Sequence, residues 1–252
     1  MKSLRAPLLL SVALVVLCVP ASAEMPAACR VAEPEVVTAF PLPRTADAIV
    51  KKKLDVLVIG AGSSVLPGKD GAEKAYPARL QKALIEKYPG VAVNVQTDIK
   101  RSRTAAEMSA QLISLLGTAR PALVIWQTGT IDAMRAVDPD RFGTNLDSGI
   151  NAARSAGADV VLVNSQYSPR TESMIALGAY NESMRWVALQ QELPLFDRFG
   201  IMRLWSEEGT FNFHSATKKL DTAERVHDCI GRLLATLVAE GVRLAAPPGG
   251  GR

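Results

Sequence analysis

Leu54-Asp55-Val56-Leu57-Val58-Ile59-Gly60-Ala61-Gly62-Ser63-Ser64 is the stretch on which the fold turns. Its first residues are almost all aliphatic and end at a glycine-serine turn, the pattern of a strand buried on both faces rather than one alternating between core and water. Four comparable runs follow at Val91–Thr97, Ala122–Thr128, Asp159–Asn164 and Leu193–Phe196. Between them lie helical patterns at about 74–88, 104–117, 144–156, 171–191 and 221–240. In the last, Val226, Ile230, Leu233 and Leu237 recur at helical spacing and form one apolar stripe.

Strict alternation of strand and helix predicts an α/β fold. Parallel neighbours need right-handed helical crossovers, which place helices on both faces of the sheet. The expected architecture is a three-layer α/β/α domain with a flavodoxin-like five-stranded parallel sheet. In the strand order 2-1-3-4-5 the winding reverses between strands one and three, and ligands bind outside the carboxyl ends at that switch point. Functional residues are therefore sought after Gly60, Thr97 and Thr128, and in the loop before the last helix.

Outward from this core, the amino terminus carries Lys2 and Arg5, an apolar run from Ala6 to Val19, then Pro20 and Ala21-Ser22-Ala23. That order predicts a secretory signal peptide over 1–23, cleaved after Ala23. The run is shorter than the roughly 20 residues a membrane span needs, so no stable membrane anchor is expected. Leu17, where a small residue would precede a lipidated cysteine, argues against an anchor at Cys18. Export predicts a periplasmic or secreted location. Residues 24–50, with Pro26, Pro34, Pro41 and Pro43, read as an arm, residues 51–243 as one domain, and 244–252 as a tail. The 29 Lys+Arg against 25 Asp+Glu include Lys2 and Arg5, so the mature chain is close to neutral and nucleic acid is not an expected partner. Cys29 and Cys229 survive processing into an oxidising compartment; they form either a disulfide between arm and last helix or two buried thiols.

The loop Gly60–Lys69 does not bind nucleotides by any standard pattern. Val65 stands where a dinucleotide fingerprint needs a third glycine, and five residues separate Gly62 from Gly68 where a phosphate loop has four. What remains is a turn presenting a serine hydroxyl at the sheet edge, or a serine capping a helix. No cofactor is expected, and no His/Cys/Asp/Glu cluster has metal-ligand spacing.

With Gly129-Thr130-Ile131-Asp132 after the third strand, the chain resembles the SGNH/GDSL hydrolases, esterases and deacetylases of this fold. Gly62-Ser63-Ser64 is similar to their first block, and Gly129–Asp132 to their Gly-x-Asn-Asp block. Tyr76-Pro77, Trp126-Gln127, Gln166-Tyr167-Ser168-Pro169 and Phe196-Asp197-Arg198-Phe199 resemble an exported bacterial branch, which Cys29 and Cys229 also fit. The resemblance implies that Ser64 is the nucleophile and that Ser102, Gly129, Thr130, Ile131 and Asp132 line the oxyanion side of a pocket. Ser102 takes the second-block glycine position, where its backbone N–H would donate, and Asp132 would order the loop through backbone hydrogen bonds.

The same resemblance implies a degenerate catalytic set. Ile131 occupies the oxyanion asparagine position, and an alkyl group donates no hydrogen bond. Counting back from Cys229, the triad histidine falls on Asp221 and its aspartate on Lys218. Only His214 and His227 are available. His214 lies in a loop and is the candidate base, although Phe211 replaces its orienting aspartate; His227, inside the last helix, reads as structural. Lys100, Arg101 and Arg103 read as a surface run at the pocket mouth. The expected function is a serine esterase or deacetylase acting weakly or in altered fashion on carbohydrate or lipid esters, its partner a small-molecule or glycan ester. The alternative is an inactive domain serving in glycan binding or assembly. The sequence does not give the oligomeric state.

Overall fold

A computed structural model describes residues 25–31, 36–214 and 219–246. The signal segment read at 1–23, Lys218, and the tail from 247 onward lie outside the described residues. The strands are β1 (Lys53–Gly60), β2 (Ala92–Ile99), β3 (Leu123–Gln127), β4 (Asp159–Val163) and β5 (Leu195–Phe196), in the order β2-β1-β3-β4-β5 with every pairing parallel. This is the expected five-stranded sheet, its switch point between β1 and β3.

The helices are α1 (Pro43–Val50), α2 (Gly71–Lys74), α3 (Tyr76–Lys87), α4 (Ala105–Ala119), α5 (Thr130–Met134), α6 (Pro139–Ser155), α7 (Pro169–Met174), α8 (Gly178–Gln190), α9 (Arg198–Glu207) and α10 (Lys219–Ala245). Successive strand side chains point to opposite faces, and the core divides accordingly. Leu54, Val56, Val58, Leu123 and Ile125 pack with the buried faces of α3, α9 and α10. Leu57, Ile59, Val124 and Trp126 pack with those of α4, α6 and α8. Gly149 of α6 is required by this second layer, because a Cβ there would lie 2.5 Å from the Trp126 ring.

Local chemistry explains where the elements depart from the periodicity. α6 starts at Pro139, before the expected 144, because the Asp138 side chain accepts from the N–H groups of Asp140 and Arg141 and Pro139 opens the helix. The single helix expected over 171–191 is two, α7 and α8, interrupted at Ile175–Leu177. α9 was not anticipated; Asp197 caps it by accepting from the Gly200 N–H. The arm contains α1, which is fastened at both ends of the domain. Thr45 donates its N–H and hydroxyl to Asp159 Oδ2, both at 2.8 Å, and the Leu42 N–H donates to the Gly241 carbonyl. Of the two states open to the cysteines, the structure has the Cys29–Cys229 disulfide, joining the arm to α10 across a sequence separation of 200. Among the described residues no helix is long and apolar enough to cross a membrane.

Candidate active site

β1 delivers its carboxyl end into a short turn, Gly62–Ser64, and Ser64 is fully buried there. Gly60 makes room for it: a Cβ at that position would meet Ser64 Oγ at 2.5 Å. Gln127, the last residue of β3, is the hub of the turn. Its Oε1 accepts from the Ala61 N–H at 3.2 Å, Ser63 Oγ at 3.3 Å and Ser64 Oγ at 2.8 Å. Because a backbone N–H can only donate, Ala61 fixes the amide with its oxygen toward the turn.

The direction of the proton chain follows. Ser64 Oγ lies 3.1 Å from Tyr76 Oη. The one hydroxyl hydrogen of Ser64 is committed to Gln127 Oε1, so the Tyr76 phenol is the donor to Ser64. Burial raises the Tyr76 pKa, outweighing the hydrogen bond shared with Ser64 and the nearby Arg198 charge, and the phenol stays neutral. Ser64 thus has a neutral donor on one side and a carboxamide on the other, and a carboxamide is not a base. Neither of its hydrogen-bond partners is an imidazole.

His227 sits close by but is occupied. Its Nδ1 accepts the Tyr76 backbone N–H at 2.9 Å, an otherwise orphan donor in the first turn of α3, whose preceding residue Ala75 offers no side-chain cap. That bond places the ring proton on Nε2. Burial, with Arg198 adding to it, holds the imidazole pKa down to about 3, so the ring is neutral at physiological pH. Arg198, at the start of α9, is fully buried. Its guanidinium lies 5.6 Å from the Tyr76 ring centroid and donates to the Ser63 carbonyl at 3.1 Å and Gln166 Oε1 at 3.1 Å.

The other expected site residues are spread along the same edge. Ser102 adopts φ 63°, the left-handed conformation a glycine accepts more readily, and its carbonyl accepts from Arg135. Gly129, at φ 106°, precedes α5. Thr130 opens α5 and its buried hydroxyl has no partner among the described residues; Ile131 beside it is half-buried. Asp132 is fully buried and accepts the Ala105 N–H at the head of α4 through both carboxylate oxygens, at 3.0 and 3.1 Å; burial, partly offset by these bonds, raises its pKa. These bonds tie α5 to the head of α4. His214 is exposed and its backbone N–H donates to Asn212. Asp221 is exposed in the first turn of α10. Arg103 is not part of a free surface run: it is buried and pairs with Asp98 Oδ2 at 2.7 Å. Two cavities flank the Ser64–Tyr76 pair. One, of about 380 Å³, lies between α3 and β2 and includes Ser64, Pro77, Gln81 and Thr97 in its wall; the other, of about 240 Å³, lies under the start of α10 beside Arg198 and His227.

The family model described as the Non-GDSL lipase-like family matches residues 28–244, nearly the whole described chain. The chain belongs to that family. Over 117 residues it is 33% identical to Esterase TesA from Pseudomonas aeruginosa, an alignment that takes in 45% of this chain and 55% of that protein. The chain thus spans about half the length of this curated relative. The crystal structure of TesA superposes with a TM-score of 0.55 at 25% identity over 72% of this chain and 99% of that one. A catalytic mutant of an acetylxylan esterase from Geobacillus stearothermophilus superposes with a TM-score of 0.56 at 14% identity, over 79% of this chain and 94% of that one, and shows the fold alone. Membership of the SGNH/GDSL group, expected from the serine and Gly129 blocks, is established, and with it an esterase- or lipase-type hydrolase fold.

Sequence reasoning quoted Tyr76, Gln127, Gln166 and Arg198 as marks of resemblance without assigning them roles. A signal existed for two of them. Gln127 is a polar residue closing an otherwise apolar buried strand, and Arg198 follows a strand end at the edge where ligands bind.

Proposed function

We propose that this member of the Non-GDSL lipase-like family is an exported, hydrolase-fold protein in which ester hydrolysis is residual and ligand binding at the carboxyl edge of the sheet is the retained function. The observation that carries this reading is the environment of Ser64: its proton goes to the Gln127 carboxamide, and its other partner is a neutral phenol. Serine-triad chemistry needs a base on that hydroxyl and donors at the oxyanion. The base is missing from the Ser64 bonds, and Ile131 supplies no side-chain donor. Carbohydrate or lipid esters are the class of molecule that the family resemblance suggests for the pocket.

The kinetic test uses p-nitrophenyl acetate with purified wild type, Ser64→Ala, His214→Ala and His227→Ala. The expected wild-type rate is far below a typical enzyme turnover of roughly 10 s⁻¹, with little separation among the four proteins. Robust turnover that disappears in both Ser64→Ala and His214→Ala would overturn the reading and identify a hydrolase rewired to His214. Export is supported by the charged, apolar and small-residue segments of 1–23, and by a disulfide, which persists in oxidising compartments. Intact mass of secreted protein is expected to begin at Glu24 and to contain no alkylatable thiol before reduction.

A further inference from the structure

The cavity of about 240 Å³ beneath the start of α10 gathers positively charged side chains. Arg170, Arg198 and Lys219 line it with Gln166, Asn212 and His227, and among the described residues no aspartate or glutamate contributes to its wall. Arg198 is the decisive member. It is 0% exposed, yet its acceptors are all neutral: Ser63 Oγ at 3.4 Å, the Ser63 carbonyl and Gln166 Oε1. Its Nε is buried and has no acceptor among the described residues. Arg103 makes the contrast, since that buried arginine is given the Asp98 carboxylate as a partner. A buried cation without a counter-ion is unfavourable, which is why removing one partner of a buried pair is strongly destabilising. Burial lowers the Arg198 pKa to about 10, which still leaves it charged at neutral pH. His227 adds a neutral donor, because its Nδ1 is taken by the Tyr76 N–H and the ring proton therefore sits on Nε2.

We propose that this cavity binds a small molecule through an oxyanion group, a carboxylate or a phosphate ester on a body about the size of one sugar ring. Arg198 supplies the fixed charge in the wall, and Arg170 and Lys219 close over the anion from the rim. With the Arg198 charge fixed behind the wall, the exposed Arg170 and Lys219 and the His227 Nε2–H suit contact with a planar or tetrahedral oxyanion, whereas a neutral molecule would leave the cation uncompensated. The proposal names the ligand class for the binding function above. It rests on that reading only for the claim that the bound molecule is not turned over.

The experiment is calorimetric titration of the mature wild-type chain with D-glucuronate and glucose 6-phosphate, with D-glucose as the neutral control. At least one anion is expected to bind about ten-fold more tightly than glucose, and added salt should weaken that binding. Preference for one of the two anions names the group as carboxylate or phosphate. A double variant, Arg170→Glu with Lys219→Glu, changes exposed positions and is expected to lose about ten-fold in anion affinity with an unchanged melting temperature. Arg198→Gln is expected to abolish binding; should that variant fail to fold, the double variant decides. Neither anion exceeding glucose, or unchanged anion affinity in the double variant, overturns the proposal. Fast ester turnover together with intact anion binding would break the functional reading and leave this site standing.

Discussion

The two ends of the buried polar cluster differ in kind. At the β1–β3 end, Ser64, Gln127 and Tyr76 form a neutral chain in which every hydroxyl proton has an acceptor. At the β5–α10 end, Arg198 is a buried charge with neutral acceptors only, next to a cavity. Tyr76 spans both, giving its phenol to Ser64 and its backbone N–H to His227. The difference lies in charge: the first end is neutral throughout, and the second holds a buried cation whose acceptors are all neutral. On the proposed reading, Ser64 is held by groups that cannot take its proton, whereas Arg198, with no carboxylate partner among the described residues, is the group to which an anionic ligand would be drawn.

The comparison is broken most severely at its hub. Gln127→Leu removes the acceptor of Ala61, Ser63 and Ser64 together, leaving buried donors unpaired at roughly 1–3 kcal/mol each. A loss of about 3 kcal/mol or more is expected by urea denaturation. A shift of under about 1 kcal/mol would mean that the turn does not depend on the amide.

A pH series sharpens the other end. The His227 pKa is about 3 in the folded protein against an ordinary 6.5. Between those values the unfolded chain binds the extra proton, so stability is complete above pH 6.5 and is lost as the pH falls toward 3. His227→Gln keeps an acceptor for the Tyr76 N–H without the titration. The difference in unfolding free energy between wild type and variant should therefore shrink or reverse as the pH falls through that window, while contributions from Asp132 and Asp159 cancel in the subtraction. Parallel pH profiles would show that the imidazole titrates normally.

The smallest expected effect lies at the rim. Ser102 holds φ 63°, and Ser102→Gly should stabilise the protein by about 0.5–1 kcal/mol by relieving that conformation. Differential scanning calorimetry reads it; destabilisation would mean that the serine side chain earns its place through a contact.

The sheet was legible because both-face burial writes itself into runs such as Leu54–Gly60 and Leu123–Gln127, and alternation with helices leaves one parallel topology. The helix starts at Pro139 and Arg198 were not, since each is set by an aspartate cap rather than by apolar period. At the site, the sequence blocks pointed to Ser64 and to Gly129–Asp132, which stand after β1 and β3, and Asp132 accepts the Ala105 N–H. What one dimension could not convey was which partner each polar group meets. Gln127 lies 63 positions from Ser64, and His227 lies 151 from Tyr76, so only the folded edge reveals that the serine faces an amide and that the helical histidine caps α3. Arg198 is legible as a basic residue at a strand end, but its lack of a carboxylate is a property of the packed interior.

Whether Ser64 has a base to receive its proton is read by intact-mass analysis after exposure of the mature protein to excess fluorophosphonate probe at neutral pH, with Ser64→Ala alongside. The expected result is unmodified protein in both samples. A stoichiometric phosphonyl adduct on wild type, absent from Ser64→Ala and mapped to the Gly62–Ser64 peptide, would contradict it.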